Sequence, residues 1–202
     1  MNNIKILFLD IGGVLLSDGW NHSSRMLAIE KFGLEPIQFQ KDHSVAFPLF
    51  ENGKLTLDEY LECTVFNHRR DFSKQEFSEF MFSRTTKLPD FLPWLIKWKK
   101  QSGIKIFSIN NEGKEFNDYR IKNFNLHECF DAFISSCEVG YSKPDPSIFK
   151  LALGIVQEDP ANCLYFDDRA IHVAIAKQLG LNAHLHESFE KSKSILESIN
   201  KS

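Results

Sequence analysis

The sequence lacks several features that would assign it to a particular class of protein. Its 202 residues include only four cysteines, with no CxxC pair and no histidines at zinc-site spacing. No apolar run approaches the roughly 18 residues of a membrane span. The N-terminal residues lack the basic region and small-residue cleavage site of a secretion signal. We therefore expect a cytoplasmic protein with reduced thiols, no disulfide framework and no contact with a membrane.

The sequence also has no surplus of positive charge. Lysine and arginine number 24 against 27 aspartates and glutamates, which leaves a formal net charge of -3. This balance predicts that the protein does not bind nucleic acid or anionic lipid. Hydrophobic residues make up 43% and charged residues 25%, as in ordinary globular proteins. The 19 phenylalanines are the one unusual feature, and we expect most of them to form hydrophobic core rather than a ligand site.

Short apolar runs of strand-forming residues alternate with helical patterns over most of the chain. Their apolarity is continuous, which is typical of parallel strands buried on both faces. The strands are predicted at residues 4–9, 104–109, 132–135, 163–166 and 183–186. Helical patterns cover residues 92–101, 114–124, 146–156 and 171–179. This alternation predicts an α/β fold, a three-layer doubly wound parallel sheet.

The interval between the first strand and the helix near residue 92 breaks this alternation. Its apolar residues follow helical spacing, as at 26–32 and 57–66, and Thr56 with Glu59 forms a capping-box pattern before the latter. The interval is far longer than a usual βα connection of ~2–6 residues. We therefore predict an inserted helical cap at 17–87 and an α/β hydrolase core at 1–16 and 88–202.

Polar residues cluster directly after the predicted strands. In an open α/β sheet, ligands bind beyond the carboxyl ends of the strands. The residues at these ends are Asp10, Ile11, Gly12, Asn110, Asn111, Lys143, Asp167 and Asp168. Several carboxylates at neighbouring strand ends suit Mg²⁺ together with a substrate phosphate.

This residue set predicts phosphoryl transfer to a carboxylate. Asp10 would attack phosphorus and form an aspartyl-phosphate, while Lys143 neutralises the charge on nucleophile and phosphate. The amides of Asn110 and Asn111 and the backbone N–H groups of Ile11 and Gly12 would hold phosphate oxygens.

Four segments in this order, FLDIGGVLL, IFSINNEG, VGYSKPDPSIF and LYFDDRA followed by AKQLG, resemble the haloacid dehalogenase-like (HAD) hydrolase superfamily. Within it, the sequence is similar to capped small phosphatases related to the N-terminal domain of soluble epoxide hydrolase. The resemblance implies that Asp10 is the nucleophile and Lys143 the phosphate-stabilising lysine. It further implies Mg²⁺ as cofactor, bound by Asp10, the Gly12 carbonyl and Asp168, with Asp167 acting through water.

Two positions depart from the family pattern. Gly12 replaces the usual second aspartate, which serves as general acid and base, and Asn110 replaces the usual serine or threonine. A missing acid costs roughly 10²–10⁴ in rate, unless the leaving group departs easily or Asp18 or His22 of the cap supplies the proton. The expected function is therefore slow Mg²⁺-dependent hydrolysis of a small phosphate ester.

Two alternatives to this function remain open. One is a weakly catalytic or non-catalytic protein that binds a phosphorylated ligand or a partner. The other is a metal-independent 2-haloacid dehalogenase, since such enzymes also lack the second acid. The Asp167–Asp168 pair could in addition be a simple helix cap.

Overall fold

The computed structural model describes residues 4–199, which form a parallel sheet surrounded by helices. The strands of this part of the chain are β1 (Ile6–Leu9), β2 (Lys105–Asn110), β3 (Ala132–Ser135), β4 (Cys163–Asp167) and β5 (Asn182–Leu185). The helices before β2 are α1 (His22–Phe32), α2 (Pro36–Glu51), α3 (Leu57–Thr64), α4 (Lys74–Ser83) and α5 (Phe91–Ser102). The later helices are α6 (Lys114–Asn123), α7 (Ser136–Val139), α8 (Pro146–Val156), α9 (Ala170–Gln178) and α10 (Phe189–Ile199).

The five strands are all parallel and lie in the order β3-β2-β1-β4-β5. The chain leaves β1 toward one side for β2 and β3 and later crosses to the other side for β4 and β5. This reversal makes the carboxyl end of β1 a topological switch point, where open α/β sheets bind ligands. The predicted fold class is confirmed, and each predicted strand lies within two residues of an observed one.

Helices cover both faces of the sheet, so the fold has three layers. The side chains of β1 alternate between the two faces, as the pleat of a strand requires. Leu7 and Leu9 join a cluster with α5 and α10, whereas Ile6 and Phe8 join one with α8 and α9. Helix α10 lies outside the helical patterns that the sequence predicted, and its Leu196 is fully buried in the first cluster.

Helices α1 to α4 share a hydrophobic cluster with Phe116 of α6. It contains many of the phenylalanines, including Phe39, Phe50 and Phe77, packed around the fully buried Tyr60. The hydroxyl of Tyr60 accepts a hydrogen bond from the Trp20 indole N–H at 3.0 Å. The expectation that the phenylalanines form core therefore holds for these residues.

Local sequence signals explain where several of these helices begin and end. Thr56 and Glu59 form the predicted capping box of α3, with both reciprocal hydrogen bonds present. Ser73 and Glu76 form a second capping box at α4. Helix α5 ends at Gly103, whose left-handed conformation (φ 69°) suits glycine.

The two segments that connect α1–α4 to the sheet lie side by side. The backbone N–H of Ser17 donates to the Thr86 carbonyl at 2.9 Å, and the N–H of Leu88 donates to the Leu15 carbonyl at 3.1 Å. The segment that contains α1 to α4 therefore begins and ends at neighbouring points beside the sheet. That they form a cap with boundaries at 17 and 87 stays a prediction. Within residues 4–199, no helix combines the length and apolarity needed to cross a bilayer.

Candidate active site

Three carboxylates meet at the carboxyl end of the sheet, beside the switch point. Asp10 follows β1, Asp167 ends the neighbouring strand β4, and Asp168 comes next. The two strands are in register, and the N–H of Asp10 donates to the Phe166 carbonyl at 3.0 Å. One oxygen from each of the three carboxylates lies within 4.8 Å of the others. The structure therefore brings together the three acids predicted as metal ligands.

Lys143 connects two of these acids. Its Nζ lies 2.9 Å from Oδ2 of Asp10 and 2.7 Å from Oδ2 of Asp167, and the residue is only 4% exposed. Burial raises the pKa of Asp10 to about 6; the Lys143 ammonium opposes this rise, and the Asp167 carboxylate adds to it. The lysine is the charge that allows two carboxylates to ionise side by side in a buried site.

Both carboxylate oxygens of Asp167 accept hydrogen bonds from neighbouring donors. Burial would raise its pKa, but Lys143 and hydrogen bonds from His172 and Tyr165 lower it below the ordinary range. The Nδ1 of His172 lies 3.0 Å from Oδ1, and the N–H of Arg169 donates to the same oxygen at 2.8 Å. The Tyr165 hydroxyl donates to Oδ2. Because a carboxylate only accepts, His172 must have its proton on Nδ1.

Asp168, in contrast, has an oxygen without a partner. Its buried Oδ1 makes no hydrogen bond to any residue from 4 to 199. Burial, together with the carboxylates of Asp18 and Asp167, raises the pKa of Asp168. Its side chain lies against Gly13, where an added Cβ would come within 2.3 Å of Oδ2. Gly13 also has a φ of 69°, so both its conformation and its lack of a side chain are needed here.

This donor set fits a magnesium ion. An unpaired buried carboxylate oxygen is costly in the protein alone, and a hard cation would satisfy it. Asp10 and Asp168 would hold the ion directly. Both oxygens of Asp167 are already engaged, which suits a contact through water rather than a direct bond. The carbonyl of Gly12 lies in the same loop and remains a predicted ligand.

The two predicted phosphate-binding asparagines are occupied with other contacts. Asn110 is 2% exposed, and its Oδ1 accepts hydrogen bonds from Ser108 and Ser135. Its Nδ2 lies 3.3 Å from the Asn117 Oδ1. The geometry does not favour Asn110 as a phosphate ligand, because its amide is turned into this polar network. Asn111 bonds the backbone N–H and carbonyl of Lys143, both at 2.8 Å, and so positions the lysine loop.

The predicted backbone donors lie beside the Asp10 carboxylate. The N–H of Ile11 donates to Oδ1 of Asp10 at 2.7 Å, which fixes the carboxylate and leaves Oδ2 facing Lys143. Gly12 lines the cavity and does not adopt a positive φ. The backbone at position 12 would therefore accept a side chain, and glycine is not required there for its torsion angles.

Asp18 and an ion pair occupy the space next to Gly12. A Cβ at position 12 would lie 3.2 Å from Oδ1 of Asp18 and 3.6 Å from Nη1 of Arg120. That guanidinium forms a buried ion pair with Glu112 at 2.8 Å and lies 3.4 Å from the Ser17 carbonyl. Position 12 therefore faces a region that contains charged groups of both signs.

These residues surround a cavity of about 540 Å³ between the sheet edge and helices α1 and α2. Asp10, Lys143 and Asn111 line it from the sheet side. The predicted acid candidates Asp18 and His22 also line it. The other lining residues include Trp20, Arg25, Phe47, Glu51, Glu112, Arg120, Arg169, Ile171 and His172. The site is thus a cavity with the Asp10 carboxylate in its wall on the sheet side.

Three groups at this site were absent from the sequence-based prediction. Tyr165 could have been found, because it lies two residues before Asp167 and so faces the same side of β4. His172 is five residues after Asp167, on the following helix. Glu51 has no such signal, since it reaches the cavity only through the packing of α2.

The comparisons with known proteins agree with this geometry. A family model for haloacid dehalogenase-like hydrolases matches residues 4–180. The D-ribitol-5-phosphate phosphatase of Bacteroides thetaiotaomicron is 24% identical and covers 92% of this chain and 93% of its own. Mouse bifunctional epoxide hydrolase 2 is 24% identical over 88% of this chain, which spans only 35% of that relative's length.

A crystal structure of an HAD family enzyme from Bacteroides thetaiotaomicron, in complex with magnesium and inorganic phosphate, shares the fold. Its TM-score is 0.75 at 23% identity, with 90% of this chain and 93% of that chain covered.

Proposed function

This chain belongs to the haloacid dehalogenase-like hydrolase family, and we propose that it is a Mg²⁺-dependent phosphatase that acts on small phosphate esters. The observation that carries the proposal is the arrangement of Asp10, Lys143 and Asp168 at one sheet edge. A buried lysine bridges a nucleophilic carboxylate to a second acid, and a third acid has an unpaired buried oxygen. The phosphatase relative and the magnesium–phosphate complex of the Bacteroides enzyme support this reading.

Magnesium, when bound, would draw negative charge from the phosphate and favour the ionised form of Asp10. Asp10 and Asp168 would hold it directly, with the Gly12 carbonyl as a further ligand and Asp167 acting through water. The pair Asp167–Asp168 is more than a helix cap, because Asp168 caps no described group and Asp167 binds Lys143.

Asp10 performs the chemical step of the proposed reaction. Its Oδ2 attacks phosphorus, the bond to the ester oxygen breaks, and the alcohol leaves an aspartyl-phosphate behind. Water then attacks that phosphorus, and the bond to Asp10 breaks to release inorganic phosphate. Lys143 compensates the negative charge that phosphate brings beside Asp10. Asn111 holds the backbone of Lys143 in place for this role.

We assign helices α1 to α4 the role of a cap that excludes water and contacts the ester group. Trp20, Arg25 and Phe47 line the cavity from this side. The wall therefore offers both aromatic surface and positive charge to the part of the substrate beyond its phosphate. A compact polar or aromatic phosphate ester matches the cavity of about 540 Å³ better than a phosphoprotein does.

Turnover assays with and without Mg²⁺ test the proposed function. We expect hydrolysis of an aryl phosphate in Mg²⁺, loss of activity in a chelator, and no turnover by Asp10→Asn. A phosphorylated form of the wild-type protein should be trapped by acid quench and located on Asp10. Binding of phosphate esters without turnover would instead indicate a non-catalytic phosphate-binding protein. Metal-independent halide release from a 2-haloacid would identify a dehalogenase.

A further inference from the structure

The proposed reaction needs a proton donor that position 12 does not supply. The departing ester oxygen must gain a proton, and the attacking water must lose one. Apart from Asp10, three carboxyl groups line the cavity: Asp18, Glu51 and Glu112. The contacts of each group decide which of them is suited to both tasks.

Glu112 is already committed to structure. Its Oε2 pairs with Arg120 at 2.8 Å, its Oε1 accepts the Gly113 N–H, and only 6% of the residue is exposed. Asp18 lies beside the loop of the nucleophile, close to Gly12. It shares this position with Asp168, whose pKa it raises. Glu112 therefore belongs to the sheet side of the cavity, and Asp18 lies next to the nucleophile and the proposed metal ligand Asp168.

Glu51 differs from both in its contacts and its position. It is the last residue of α2 and faces the cavity from the side opposite the sheet edge. Within the described chain its carboxyl group makes no hydrogen bond and no ion pair, although the side chain is largely enclosed. A cavity-lining carboxyl without a structural partner is free to bond the ester oxygen or a water molecule.

The backbone of Glu51 is nevertheless firmly held. Its carbonyl accepts a hydrogen bond from the Ser136 hydroxyl at 2.6 Å, which connects the end of α2 to the segment after β3. The neighbouring Phe50 ring lies directly over Gly113, where a Cβ would come within 2.1 Å of the ring. These two contacts fix the height of Glu51 above the sheet edge, as a positioned acid requires.

The surroundings of Glu51 also suit proton transfer. Burial is the largest influence, and together with the Glu112 carboxylate it raises the pKa of Glu51 to about 7. Arg169 and Lys143 act in the opposite direction, and Asp10 adds a small further increase. An acid with a pKa near neutrality can donate a proton in one step and accept one in the next.

We propose that Glu51 is the general acid and then the general base of the phosphatase reaction, in place of the acid missing at position 12. This inference rests on the proposed function. Protonated Glu51 gives its proton to the ester oxygen. At the same time the bond between that oxygen and phosphorus breaks, and Asp10 forms a bond to phosphorus. The resulting Glu51 carboxylate then takes a proton from water as the water oxygen bonds to phosphorus and the bond to Asp10 breaks. Glu51 ends protonated, as it began.

The dependence of rate on the leaving group tests this assignment. The full chain in Mg²⁺ is assayed with a series of aryl phosphates of increasing phenol pKa and with an alkyl phosphate. Glu51→Gln should lose about 10²–10⁴-fold in kcat/KM on the alkyl phosphate, and its kcat/KM should depend more steeply on the leaving group than that of the wild type. It should lose less in forming the phosphoenzyme from 4-nitrophenyl phosphate, which needs no acid.

The second step provides an independent readout. Every substrate passes through the same hydrolysis of the aspartyl-phosphate, so Glu51→Gln should accumulate phosphoenzyme from 4-nitrophenyl phosphate after a rapid burst. In the wild type, kcat should change with pH near neutrality because Glu51 titrates there, and this change should be absent in Glu51→Gln. Glu51→Asp, which keeps the carboxyl group, should retain this dependence on pH. Gly12→Asp added to Glu51→Gln should restore part of the alkyl phosphate activity.

Asp18→Asn is the matched comparison, because it removes the other free carboxyl of the cavity. If Asp18→Asn steepens the leaving-group dependence and Glu51→Gln does not, Asp18 is the acid and the assignment is overturned. A folded Glu51→Gln protein with the wild-type dependence also overturns it. If Glu51→Gln unfolds, Glu51→Ala is measured in its place. The assignment is overturned if Glu51→Ala has the leaving-group dependence and the pH dependence of the wild type. A wild-type protein that turns over no phosphate ester in Mg²⁺ refutes the proposed function itself.

Discussion

The buried ion pair between Arg120 and Glu112 provides a quantitative test of the site's electrostatics. Both residues are almost inaccessible, at 4% and 6% exposure, and their charged atoms lie 2.8 Å apart. Arg120→Met keeps most of the apolar volume of the side chain and removes its charge. Glu112 would then be a buried carboxylate without a counter-ion.

The expected loss in the free energy of unfolding is about 3–5 kcal/mol, because one charge of a buried pair is left uncompensated. For a chain of this size, each kcal/mol lowers the melting temperature by ~2–4 °C, so the melt should fall by roughly 6–20 °C. The variant Glu112→Gln/Arg120→Met removes both charges and should recover most of this loss.

The loss should also depend on pH, with a sign that the structure determines. Burial raises the pKa of Glu112, and Arg120 is the first influence that lowers it. Without Arg120 the folded-state pKa rises further above that of the unfolded chain. Such a carboxyl destabilises the fold above its unfolded pKa, so the penalty grows as pH increases and is complete above the folded pKa. The deficit should therefore be larger at pH 8 than at pH 5.

Urea unfolding of the wild type, the single variant and the double variant at pH 5 and pH 8 measures these differences. Subtracting the double variant from Arg120→Met at each pH isolates the contribution of Glu112 from the titration of other groups. A loss below about 1 kcal/mol would contradict the argument, since exposed ion pairs are worth no more than this. An equal loss at both pH values would also contradict it.

Three further predictions concern the metal and the nucleophile. Asp168→Asn should abolish Mg²⁺ binding by calorimetry and give a metal-free protein that melts no lower than the wild type, because a buried charge without a partner is removed. Equal Mg²⁺ affinity would refute its role as ligand. Gly13→Ala should lose stability and Mg²⁺ affinity, because its Cβ would lie 2.3 Å from Asp168. Gly33 has a similar φ but open space around it, so the control Gly33→Ala should lose only ~1–2 kcal/mol of stability. Lys143→Met should raise the pKa of Asp10 above about 6 in an NMR titration of the metal-free protein, because the main opposing charge is removed; an unchanged or lower pKa would count against the bridging role.

The sheet and its ligand-binding edge could be predicted because the relevant signals are local. Continuous apolar runs indicate buried parallel strands, and the acids that follow them come together because parallel strands end at one edge. Asp10 and the Asp167–Asp168 pair lie at the ends of their strands, whereas Lys143 lies beyond α7, in the loop before α8. The capping box at Thr56 is local in the same way.

Features that depend on packing between distant segments could not be predicted. Glu51 is far from Asp10 in sequence and reaches the cavity because the Phe50 ring packs against Gly113 and so positions the end of α2. The orientation of Asn110 is set by hydroxyl groups on two strands, which no pattern along the chain reports. Helix α10 is a different case, because its apolar residues Phe189, Leu196 and Ile199 recur at helical spacing and a local signal for it was therefore present.

The neighbouring ends of the segment that contains α1 to α4 have a consequence for how this chain can vary. Ser17 and Thr86 are hydrogen-bonded to each other, so the sheet domain is closed at that point whatever lies between them. The entropic cost of closing a loop rises by only ~0.6 kcal/mol for each doubling of its length. We therefore expect insertions and deletions between these two residues to leave the strand order intact. The carboxylate cluster and Lys143 lie outside this segment, whereas Trp20, Arg25 and Glu51 lie inside it, so one wall of the cavity can change while the sheet edge stays the same.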